Sequence, residues 1–413
     1  MPPIVHEVEY LLVGSSHAAL EALRAIRQAD TTGSIAMLTR DRHLPYSPTV
    51  LPYVMSGRTA PDRALLRDPA FFADQGCTFV PGALACALDP AARTVSTEGG
   101  AVWRYGKLLI ATGAAPALPP VPGLAETPHH VLRSLDDASA LRVAMGTARR
   151  AVVLGAGLVG LHAAETLAEA GLTVTVVEMR SHVLPGYFDA EAAARIEAEF
   201  TAHGVDLALG RRAVATTADA VELDDGRRIA HDLLLVAAGV VPAMDWLAGS
   251  GVATDRGVLV DATMRTSVPG IWAAGDVAQA ALFPGGAPGL LGIIPTAVEQ
   301  GRTAGMDMAG DPYVKPYGGG IPVNTYRFFG RVALSVGAAA AEGGVTVAEP
   351  DGGYRRIVLE DDRLVGCATI DAPFDVGIMT ELIRRRIDLG NCRDEFLARP
   401  VAVGRRLMSE GWR

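Results

Sequence analysis

The sequence predicts an α/β fold built from two doubly wound domains, the second inserted into the first, followed by a small C-terminal α+β domain. Two segments outline a strand, a glycine turn and a helix: "YLLVGSSHAALEALRAIR" from Tyr10 and "AVVLGAGLVG" from Ala151. Proline-marked boundaries, at residues 114–123 and at Pro242, flank the second segment. Beyond Pro242, "GVLVDATMRTSVPGIWAAGDVA" returns to strand-forming residues. An inserted domain needs two chain crossings, and these boundaries supply them.

Composition and charge exclude several classes of protein. The 413 residues, 49% hydrophobic and 20% charged, are enough for two or three folded domains. A net charge of −9 argues against nucleic-acid binding. The first residues do not resemble a signal peptide, and the longest apolar stretch contains His162, Glu165 and Glu169. We therefore expect a cytoplasmic protein without a membrane span. The four cysteines form no C-x-x-C pair, which predicts free thiols and no metal site.

Apolar runs and turns place the remaining elements. The first β-α-β unit spans residues 6–40: a buried strand at 6–13, a helix to about Gln28, and a strand in "SIAMLTR". "YGKLLIATGA" and "DLLLVAAGVVPAMDW" predict further buried strands that end in small-residue turns. We expect three domains: a first nucleotide-binding domain at residues 1–115 with 243–325, a second nucleotide-binding domain at 116–242, and a C-terminal α+β interface domain at 326–413.

The C-terminal domain has its own pattern. "YRRIVLEDDRLVGCATI" predicts a hairpin that turns at Asp361–Asp362, and "VGIMTELIRRRIDL" predicts an amphipathic helix. Arginines outnumber acids from residue 384 onwards, beginning with Arg384, Arg385 and Arg386. Two interpretations stay open: a solvated helix face with salt bridges, or a docking surface for an acidic redox protein.

The second glycine turn carries the stronger signal. Gly155-x-Gly157-x-x-Gly160 follows a β-branched strand and opens a helix, whose free N–H groups suit a pyrophosphate. Glu178 ends the next strand, 23 residues after Gly155, and can accept hydrogen bonds from the adenosine ribose. A carboxylate there repels a 2′-phosphate, so we expect NADH to be preferred over NADPH. Arg180 weakens that preference because it could contact a phosphate.

The first turn is less regular. Ser16 replaces the glycine that lets the backbone approach the pyrophosphate closely. Ala19 stands at the helix-packing position, where alanine is accepted. Thr39 occupies the strand-end position of the acid, which leaves Asp41 as the expected ribose partner. Gly275–Asp276 favours a nucleotide site at the first turn, because a Gly–Asp turn at a strand end can present a carboxylate to a ribityl hydroxyl. Two dinucleotide sites on one chain indicate electron transfer between the two bound molecules.

Together, "YLLVGSSHAAL", "KLLIATGA", "AVVLGAGLVG", "LVAAGVVP" and "IWAAGDVA" resemble the two-dinucleotide FAD/NAD(P) flavoprotein reductases, the pyridine nucleotide-disulfide oxidoreductase superfamily. The resemblance implies two Rossmann-like domains. It implies FAD in the first, held by Gly14, Ser16, Ala19, Asp41, Ala111, Thr112, Gly113, Gly275 and Asp276. It implies NAD(H) in the inserted domain, held by Gly155, Gly157, Leu158, Val159, Gly160, Glu178 and Gly239. The helix from about Ile294 would direct its N-terminus at the flavin.

Two departures from the family pattern bear on mechanism. Members that reduce disulfides or peroxide carry a cysteine near the flavin, but Thr49 stands at that position, before Leu51-Pro52-Tyr53. Threonine forms no sulfenic acid or mixed disulfide, so we expect electrons to leave the flavin directly. His162 stands where many members have glutamate. It is either a packed helix histidine or a neighbour of the nicotinamide or flavin.

The resemblance implies an FAD-dependent NAD(H):acceptor oxidoreductase. A hydride would pass between nicotinamide and flavin N5, and single electrons would pass to or from an iron–sulfur partner. The thiol-free site and the C-terminal hairpin favour the NAD-linked subunit of a multi-subunit 2-oxoacid or aldehyde oxidoreductase. The alternatives are a stand-alone ferredoxin or rubredoxin reductase, the flavin portion of a nitrite reductase, an NADH oxidase, and a redox-inactive nucleotide-binding scaffold.

Overall fold

The computed structural model describes residues 4–348 and 352–410, and the chain forms two compact units. The first unit comprises Met1–Ala115, Arg133–Asp136 and Val240–Gly320. The second comprises Pro116–Leu132, Asp137–Gly239 and Ile321–Arg413. Residues assigned above to the inserted domain and to the C-terminal domain therefore share the second unit. The three-domain division stays a prediction.

The elements follow in chain order. Up to residue 116 they are β1 (Val5–Val13), α1 (His17–Ala29), β2 (Ile35–Leu38), α2 (Leu51–Met55), α3 (Pro69–Asp74), β3 (Cys77–Val80), β4 (Ala85–Asp89), β5 (Thr94–Thr97), β6 (Val102–Ile110) and β7 (Ala114–Pro116). Up to residue 242 they are α4 (Leu135–Met145), β8 (Arg150–Leu154), α5 (Leu158–Glu169), β9 (Thr173–Glu178), α6 (Ala190–Ala202), β10 (Asp206–Leu209), β11 (Ala213–Thr216), β12 (Ala220–Leu223), β13 (Arg228–Ala230), β14 (Leu233–Val236) and β15 (Val240–Pro242). The rest are β16 (Val258–Leu259), β17 (Ile271–Ala273), β18 (Ala278–Ala281), β19 (Pro288–Gly289), α7 (Ile294–Ala309), β20 (Val323–Phe328), β21 (Arg331–Gly337), β22 (Val345–Ala348), β23 (Tyr354–Glu360), β24 (Arg363–Ile370), α8 (Val376–Arg384), α9 (Arg393–Ala398) and α10 (Pro400–Glu410).

Parallel strands bring the turns of the first unit to one edge. The sheet order is β3-β2-β1-β6-β5-β4, and β17 also pairs with β6. Val13 lies beside Leu38 and Ile110, and Ile110 lies beside Ala273, all in parallel register. The carboxyl ends of β1, β2, β6 and β17 therefore meet, which is where a doubly wound sheet binds its ligand.

Helices α1 and α7 pack with their backbones in close approach. A Cβ on Gly301 would lie 2.2 Å from the carbonyl oxygen of Ala18, and one on Gly305 would lie 2.5 Å from that of Ala22. The facing residues of α1 are mostly alanine because larger side chains would separate the helices. This contact fixes α7 against the first glycine turn.

The second unit repeats the parallel arrangement and adds an antiparallel sheet. Strands β10-β9-β8-β14 are all parallel, and Leu154 lies beside Val177 and Val236. The C-terminal sheet has the order β20-β21-β24-β23-β22. The predicted hairpin is confirmed: β23 and β24 join at Asp361 and Asp362, with φ of +48° and +54°. Helix α8 confirms the predicted amphipathic helix, and the α/β fold is confirmed.

None of the helices in residues 4–348 and 352–410 is long and apolar enough to cross a lipid bilayer.

Candidate functional site

The second glycine turn has the backbone geometry of a phosphate site. Gly155 has φ of +111°, and its N–H donates to the carbonyl of Val177 at 2.8 Å. A Cβ on Gly160 would lie 2.0 Å from the carbonyl oxygen of Gly155, so the third glycine lets α5 approach the turn. A Cβ on Gly157 would meet no atom within 4 Å, and Gly157 is the N-cap of α5, with no side-chain hydrogen bond to the helix. The first N–H groups of a helix have no partner within the helix, so those of α5 are available to a phosphate.

Glu178 lies directly over this turn. One carboxylate oxygen accepts a hydrogen bond from Ala156 N at 2.8 Å, and the other accepts one from Arg180 N at 2.8 Å. The carboxylate is thus held beside the glycine turn, with lone pairs left for ribose hydroxyls. Nearby, Val159 is 44% exposed at the start of α5, and Gly239 has φ of +107° with open space where a side chain would be.

The first turn has the same backbone pattern. Gly14 has φ of +121°, its N–H donates to the carbonyl of Leu38 at 2.7 Å, and a Cβ there would lie 2.0 Å from the oxygen of Ala111. Ser16 is the N-cap of α1, and its Oγ lies 3.2 Å from His17 Nδ1. Ala19 is fully buried, as its packing position requires. Because Gly14 and Gly155 bond to equivalent strand residues, Thr39 is the counterpart of Glu178.

Asp41 is engaged within its own loop. Its carboxylate accepts hydrogen bonds from His43 N at 3.0 Å and from the Tyr46 hydroxyl. Its N–H donates to Thr39 Oγ1 at 3.2 Å, and the Tyr46 hydroxyl also accepts from Leu135 N at 3.3 Å. Both Asp41 oxygens thus order residues 39–46, and the predicted ribose contact stays a prediction.

Three predicted FAD residues follow strand β6 and lie at the edge of the sheet where the first glycine turn also lies. Ala111 N donates to the carbonyl of Val13 at 2.8 Å. Thr112 Oγ1 donates to the carbonyl of Ala243 at 2.7 Å, and Gly113 has φ of +67°. The turns after β1 and β6 are therefore adjacent.

The Gly275–Asp276 turn brings in residues that sequence analysis missed. Gly275 N donates to Gln300 Oε1 of α7 at 2.8 Å. Arg133 forms a salt bridge with Asp276 at 3.0 Å and donates to the carbonyl of Ala114 at 3.0 Å. A Cβ on Gly113 would lie 3.5 Å from the Arg133 guanidinium. No local motif marks Arg133, which lies 143 residues from Asp276.

His17 was also missed. It is the first residue of α1 and lies close enough to Asp276 and Arg67 for their charges to act on its ring. Burial lowers the pKa of His17, and Arg67 adds to that effect, whereas the Asp276 carboxylate opposes it. Its only sequence signal is its place directly after Ser16.

Thr49 lies on a 3-10 turn, Pro48–Val50, immediately before α2. It is exposed, and its Oγ1 is 2.9 Å from Ser47 Oγ. All four cysteines are free. Cys77 begins β3 beside Ile35, at the opposite end of the strands from the glycine turn, and burial raises its pKa to about 12.

His162 and the C-terminal arginines have protein partners. The His162 ring lies 4.8 Å from the Tyr326 ring in an edge-to-face arrangement. Arg384 and Arg385 pair with Glu381 at 3.8 and 3.0 Å, which favours the salt-bridged interpretation of this helix face. Further pairs link Arg393 to Asp362, Arg399 to Glu395, Arg405 to Asp375 and Arg406 to Glu395.

The residues fit two dinucleotides. Each turn combines a positive-φ glycine, a backbone approach too close for a side chain, and a helix start without a side-chain cap. The open space over Gly157 is the room that a pyrophosphate needs.

The chain is similar to known proteins. The profile of the pyridine nucleotide-disulphide oxidoreductases matches residues 8–301. The NADH-dependent phenylglyoxylate dehydrogenase subunit epsilon of Aromatoleum evansii is 50% identical over 422 residues, covering 100% of each chain. The ferredoxin–NAD(+) reductase component of the biphenyl dioxygenase system of Paraburkholderia xenovorans (strain LB400) is 30% identical over 94% of this chain and 98% of its own.

Solved structures agree. A ferredoxin reductase from Rhodopseudomonas palustris has a TM-score of 0.81 and 28% identity over 88% of this chain and 91% of its own. The covalent putidaredoxin reductase–putidaredoxin complex has a TM-score of 0.83 and 25% identity, and the match covers 92% of this chain and 94% of its own. The chain therefore belongs to the pyridine nucleotide-disulphide oxidoreductase family, as an FAD-dependent NAD(H):acceptor oxidoreductase.

Proposed function

We propose that this protein passes electrons between NAD(H) and an iron–sulfur partner as the NAD-linked subunit of a larger oxidoreductase. The complex would be of the phenylglyoxylate dehydrogenase or tungsten-dependent aldehyde oxidoreductase type, with net flow towards NAD⁺ in the cytoplasm. The observation that carries the proposal is Thr49, at the position where disulfide- and peroxide-reducing relatives carry a cysteine. Without a thiol there, electrons have to leave the flavin directly.

Three of the four cysteines support the same conclusion. Cys77 lies at the opposite end of the strands from the first glycine turn, and Cys86 is exposed on β4, where its thiol is 3.4 Å from the carbonyl of Ser96. Cys367 is fully buried, and burial raises its pKa. A thiol relay needs an accessible thiolate, and none of these three residues offers one beside Thr49.

We assign the chain's residues the work of binding and orientation. Bound FAD supplies the hydride and single-electron chemistry. The N–H groups that begin α5 hold the NAD(H) pyrophosphate, and Glu178 orients its adenosine ribose. In the first unit, the N–H groups of α1 would hold the FAD pyrophosphate, and Asp276, which forms a salt bridge with Arg133, would accept a hydrogen bond from a ribityl hydroxyl. No proton transfer from a side chain is required.

The relatives support the choice of partner. The one 50% identical over its whole length is named as a subunit of an NADH-dependent dehydrogenase. The one 30% identical is named as a ferredoxin–NAD(+) reductase component. The second name also supports the alternative of a stand-alone ferredoxin reductase, in which the acceptor dissociates after each turnover.

Thiol chemistry tests the proposal. We expect Thr49→Ala to reduce a one-electron dye with NADH at a rate within several-fold of the wild type. Iodoacetamide should leave that rate unchanged, because no cysteine lies in the path of the electrons. The measurements are anaerobic bleaching of the flavin by NADH and steady-state dye reduction. Complete inactivation by iodoacetamide with FAD still bound would restore the disulfide-reductase interpretation.

Native purification tests the partner. We expect affinity purification of the tagged protein from its own host, followed by mass spectrometry, to recover iron–sulfur subunits in fixed ratio. Recovery of the flavoprotein alone, with fast reduction of a free ferredoxin, would favour the stand-alone reductase. A yellow purified protein whose flavin is bleached by NADH would eliminate the redox-inactive nucleotide-binding scaffold.

A further inference from the structure

The loop that follows β9 contacts the second glycine turn. Residues 179–189 lie between β9 and α6, and within them Leu184 N donates to the carbonyl of Ala156 at 3.0 Å. Ala156 stands between the first two glycines of the turn, and its own N–H is held by Glu178 at 2.8 Å. Both backbone polar groups of Ala156 are thus fixed, one by the acid that ends β9 and the other by the loop beyond it.

The bond to Leu184 determines which way a peptide group of the turn points. In a trans peptide the carbonyl and the following N–H lie on opposite sides. Because the Ala156 carbonyl is directed at Leu184, the Gly157 N–H is directed away from the loop. A carbonyl oxygen carries partial negative charge and repels a phosphate, whereas an N–H attracts one. This orientation therefore suits an anionic pyrophosphate at the start of α5.

Leu184 has an uncommon backbone conformation. Its φ is +50°, in the left-handed region that L side chains rarely adopt, and its side chain is fully buried. A residue keeps such a conformation only where its surroundings enforce it. The carbonyl of Leu184 accepts the N–H of Tyr187 at 3.1 Å, and the N–H of Val183 donates to Glu197 Oε1 of α6 at 3.0 Å. Glu197 therefore supplies a side-chain acceptor to the residue immediately before Leu184.

Helix α6 gives Glu197 a fixed position. Asp189, the N-cap of α6, accepts a hydrogen bond from the Tyr354 hydroxyl at 2.7 Å and forms a salt bridge with Arg356 at 3.1 Å. Tyr354 and Arg356 belong to β23, so the C-terminal sheet holds the start of this helix. The Glu197 carboxylate is thus presented to the loop from a helix that is anchored outside the glycine turn.

We propose that Glu197 is a positioning residue for NAD(H), which acts on the glycine turn through the loop after β9. Its carboxylate holds the Val183 N–H, this bond fixes Leu184 in its left-handed conformation, and the Leu184 N–H holds the Ala156 carbonyl away from the pyrophosphate. Setting the turn before the dinucleotide arrives lowers the ordering cost of binding. The inference rests on the NAD(H) site proposed above, and it is independent of the identity of the electron partner.

The test compares three variants as FAD-loaded proteins. Titration calorimetry with NAD⁺ measures affinity without turnover. We expect Glu197→Met, which is similar in length but lacks the carboxylate, to raise the Kd for NAD⁺ about fivefold, the equivalent of one typical hydrogen bond. Glu197→Gln should keep the Kd within twofold of the wild type, because its amide oxygen can still accept the Val183 N–H. Glu191→Met is the matched control: it removes an exposed carboxylate of the same helix, which pairs with Arg195 at 3.4 Å, and it should leave the Kd unchanged.

Kinetics and hydrogen exchange distinguish positioning from a simple loss of stability. In Glu197→Met, the KM for NADH should rise while kcat with a one-electron dye stays within twofold, because the loop affects binding and not chemistry. Amide exchange in residues 182–188 should be faster in this variant than in the wild type without nucleotide. In the wild type, NAD⁺ should slow exchange in the same residues, because a bound pyrophosphate fixes the turn that they contact.

Two results with the variants would overturn the proposal. One is a Kd for Glu197→Met within twofold of the wild type at full FAD content. The other is an equal rise of the Kd in Glu197→Gln and Glu197→Met, because the effect would then follow the charge and not the hydrogen bond. If Glu197→Met does not fold, an absence of NAD⁺-dependent protection at 182–188 in the wild type would overturn it. Failure of NAD⁺ to bind the wild type would instead contradict the NAD(H) site itself.

Discussion

At the scale of single residues, Glu178 combines a predicted role in nucleotide selection with a structural role in the glycine turn. Its carboxylate is predicted to select NADH, and it also accepts N–H bonds from Ala156 and Arg180. Removing it therefore affects both the ribose contact and the shape of the turn. A substitution at position 178 that retains a carbonyl oxygen can keep a hydrogen bond within the turn while it removes the carboxylate charge, so it separates nucleotide selection from the shape of the turn.

We expect Glu178→Ala to lower kcat/KM for NADH and to reduce the difference between the kcat/KM values for NADH and NADPH. The loss should be about 1.5–3 kcal/mol, the range for hydrogen bonds to charged groups. Glu178→Gln is the matched variant, because its amide oxygen can still accept an N–H bond while the charge that repels a 2′-phosphate is gone. Steady-state assays with both nucleotides measure the effect. Equal use of NADPH and NADH by the wild type would contradict the assignment.

Another residue-scale prediction concerns pH. His231 is 3% exposed, its Nε2 has no hydrogen-bond partner among the described residues, and burial lowers its pKa. The unfolded chain therefore takes up a proton more readily than the folded one once the pH falls below about 6.5. Stability should decline below that pH, by at most about 1.4 kcal/mol per pH unit for this one group.

Urea unfolding between pH 5 and pH 8 measures this decline. His231→Leu should flatten the acid side of the profile, since one of the groups that takes up a proton on unfolding is gone. The carboxylates of Asp219 and Asp232, whose charges raise the pKa of His231, oppose the effect of burial. An acid side equally steep in the variant and the wild type would show that His231 does not contribute.

At the scale of elements, the close approach of α1 and α7 positions the first glycine turn. Gln300 of α7 holds Gly275, and Gly301 leaves no room for a side chain against Ala18. A disturbance of this helix pair is therefore transmitted to the residues predicted to hold FAD.

We expect Gly301→Ala to destabilise the protein by about 1–3 kcal/mol, the usual cost of an extra methyl group in a filled space. Its Cβ would lie 2.2 Å from a backbone oxygen, so the helices have to separate and FAD content should fall. The matched control is Gly99→Ala, where a Cβ would meet nothing within 4 Å. Thermal midpoint and the ratio of flavin to protein absorbance are the measurements. Full FAD content in Gly301→Ala would show that the helix contact does not support the site.

At the scale of the whole molecule, charge distribution decides how a redox partner would approach. Arg384 and Arg385 share Glu381, whereas Arg386 is exposed and has no ionic partner among the described residues. A local positive excess remains in a chain of net charge −9. Docking of an acidic iron–sulfur protein on this face stays a prediction.

We expect the combined change of Arg384, Arg385 and Arg386 to glutamate to slow electron transfer to a purified acidic ferredoxin and to flatten its salt dependence. Salt weakens such steering because the Debye length is about 8 Å at physiological ionic strength. Stopped-flow reduction of the flavin by NADH should be unchanged. Arg142→Glu, an exposed charge reversal on α4, is the control for net charge. Equal rates of electron transfer to the ferredoxin by the triple variant and the wild type at low salt would rule out docking on the face formed by these arginines.

Features that depend on neighbours along the chain could be predicted from the amino-acid order alone. Strand, glycine turn and helix occur together within about 20 residues, so both turns and the hairpin at Asp361–Asp362 could be predicted from spacing and residue type. The meaning of Thr49 came from the resemblance to a family whose thiol-dependent members carry a cysteine there. The tertiary structure decided which distant side chains meet. Arg133 reaches Asp276 across 143 positions, Gln300 accepts the N–H of Gly275, and the His162 ring packs against Tyr326 of β20. No local pattern encodes these contacts, because the packing of parallel strands and helices brings together residues that are far apart in the chain.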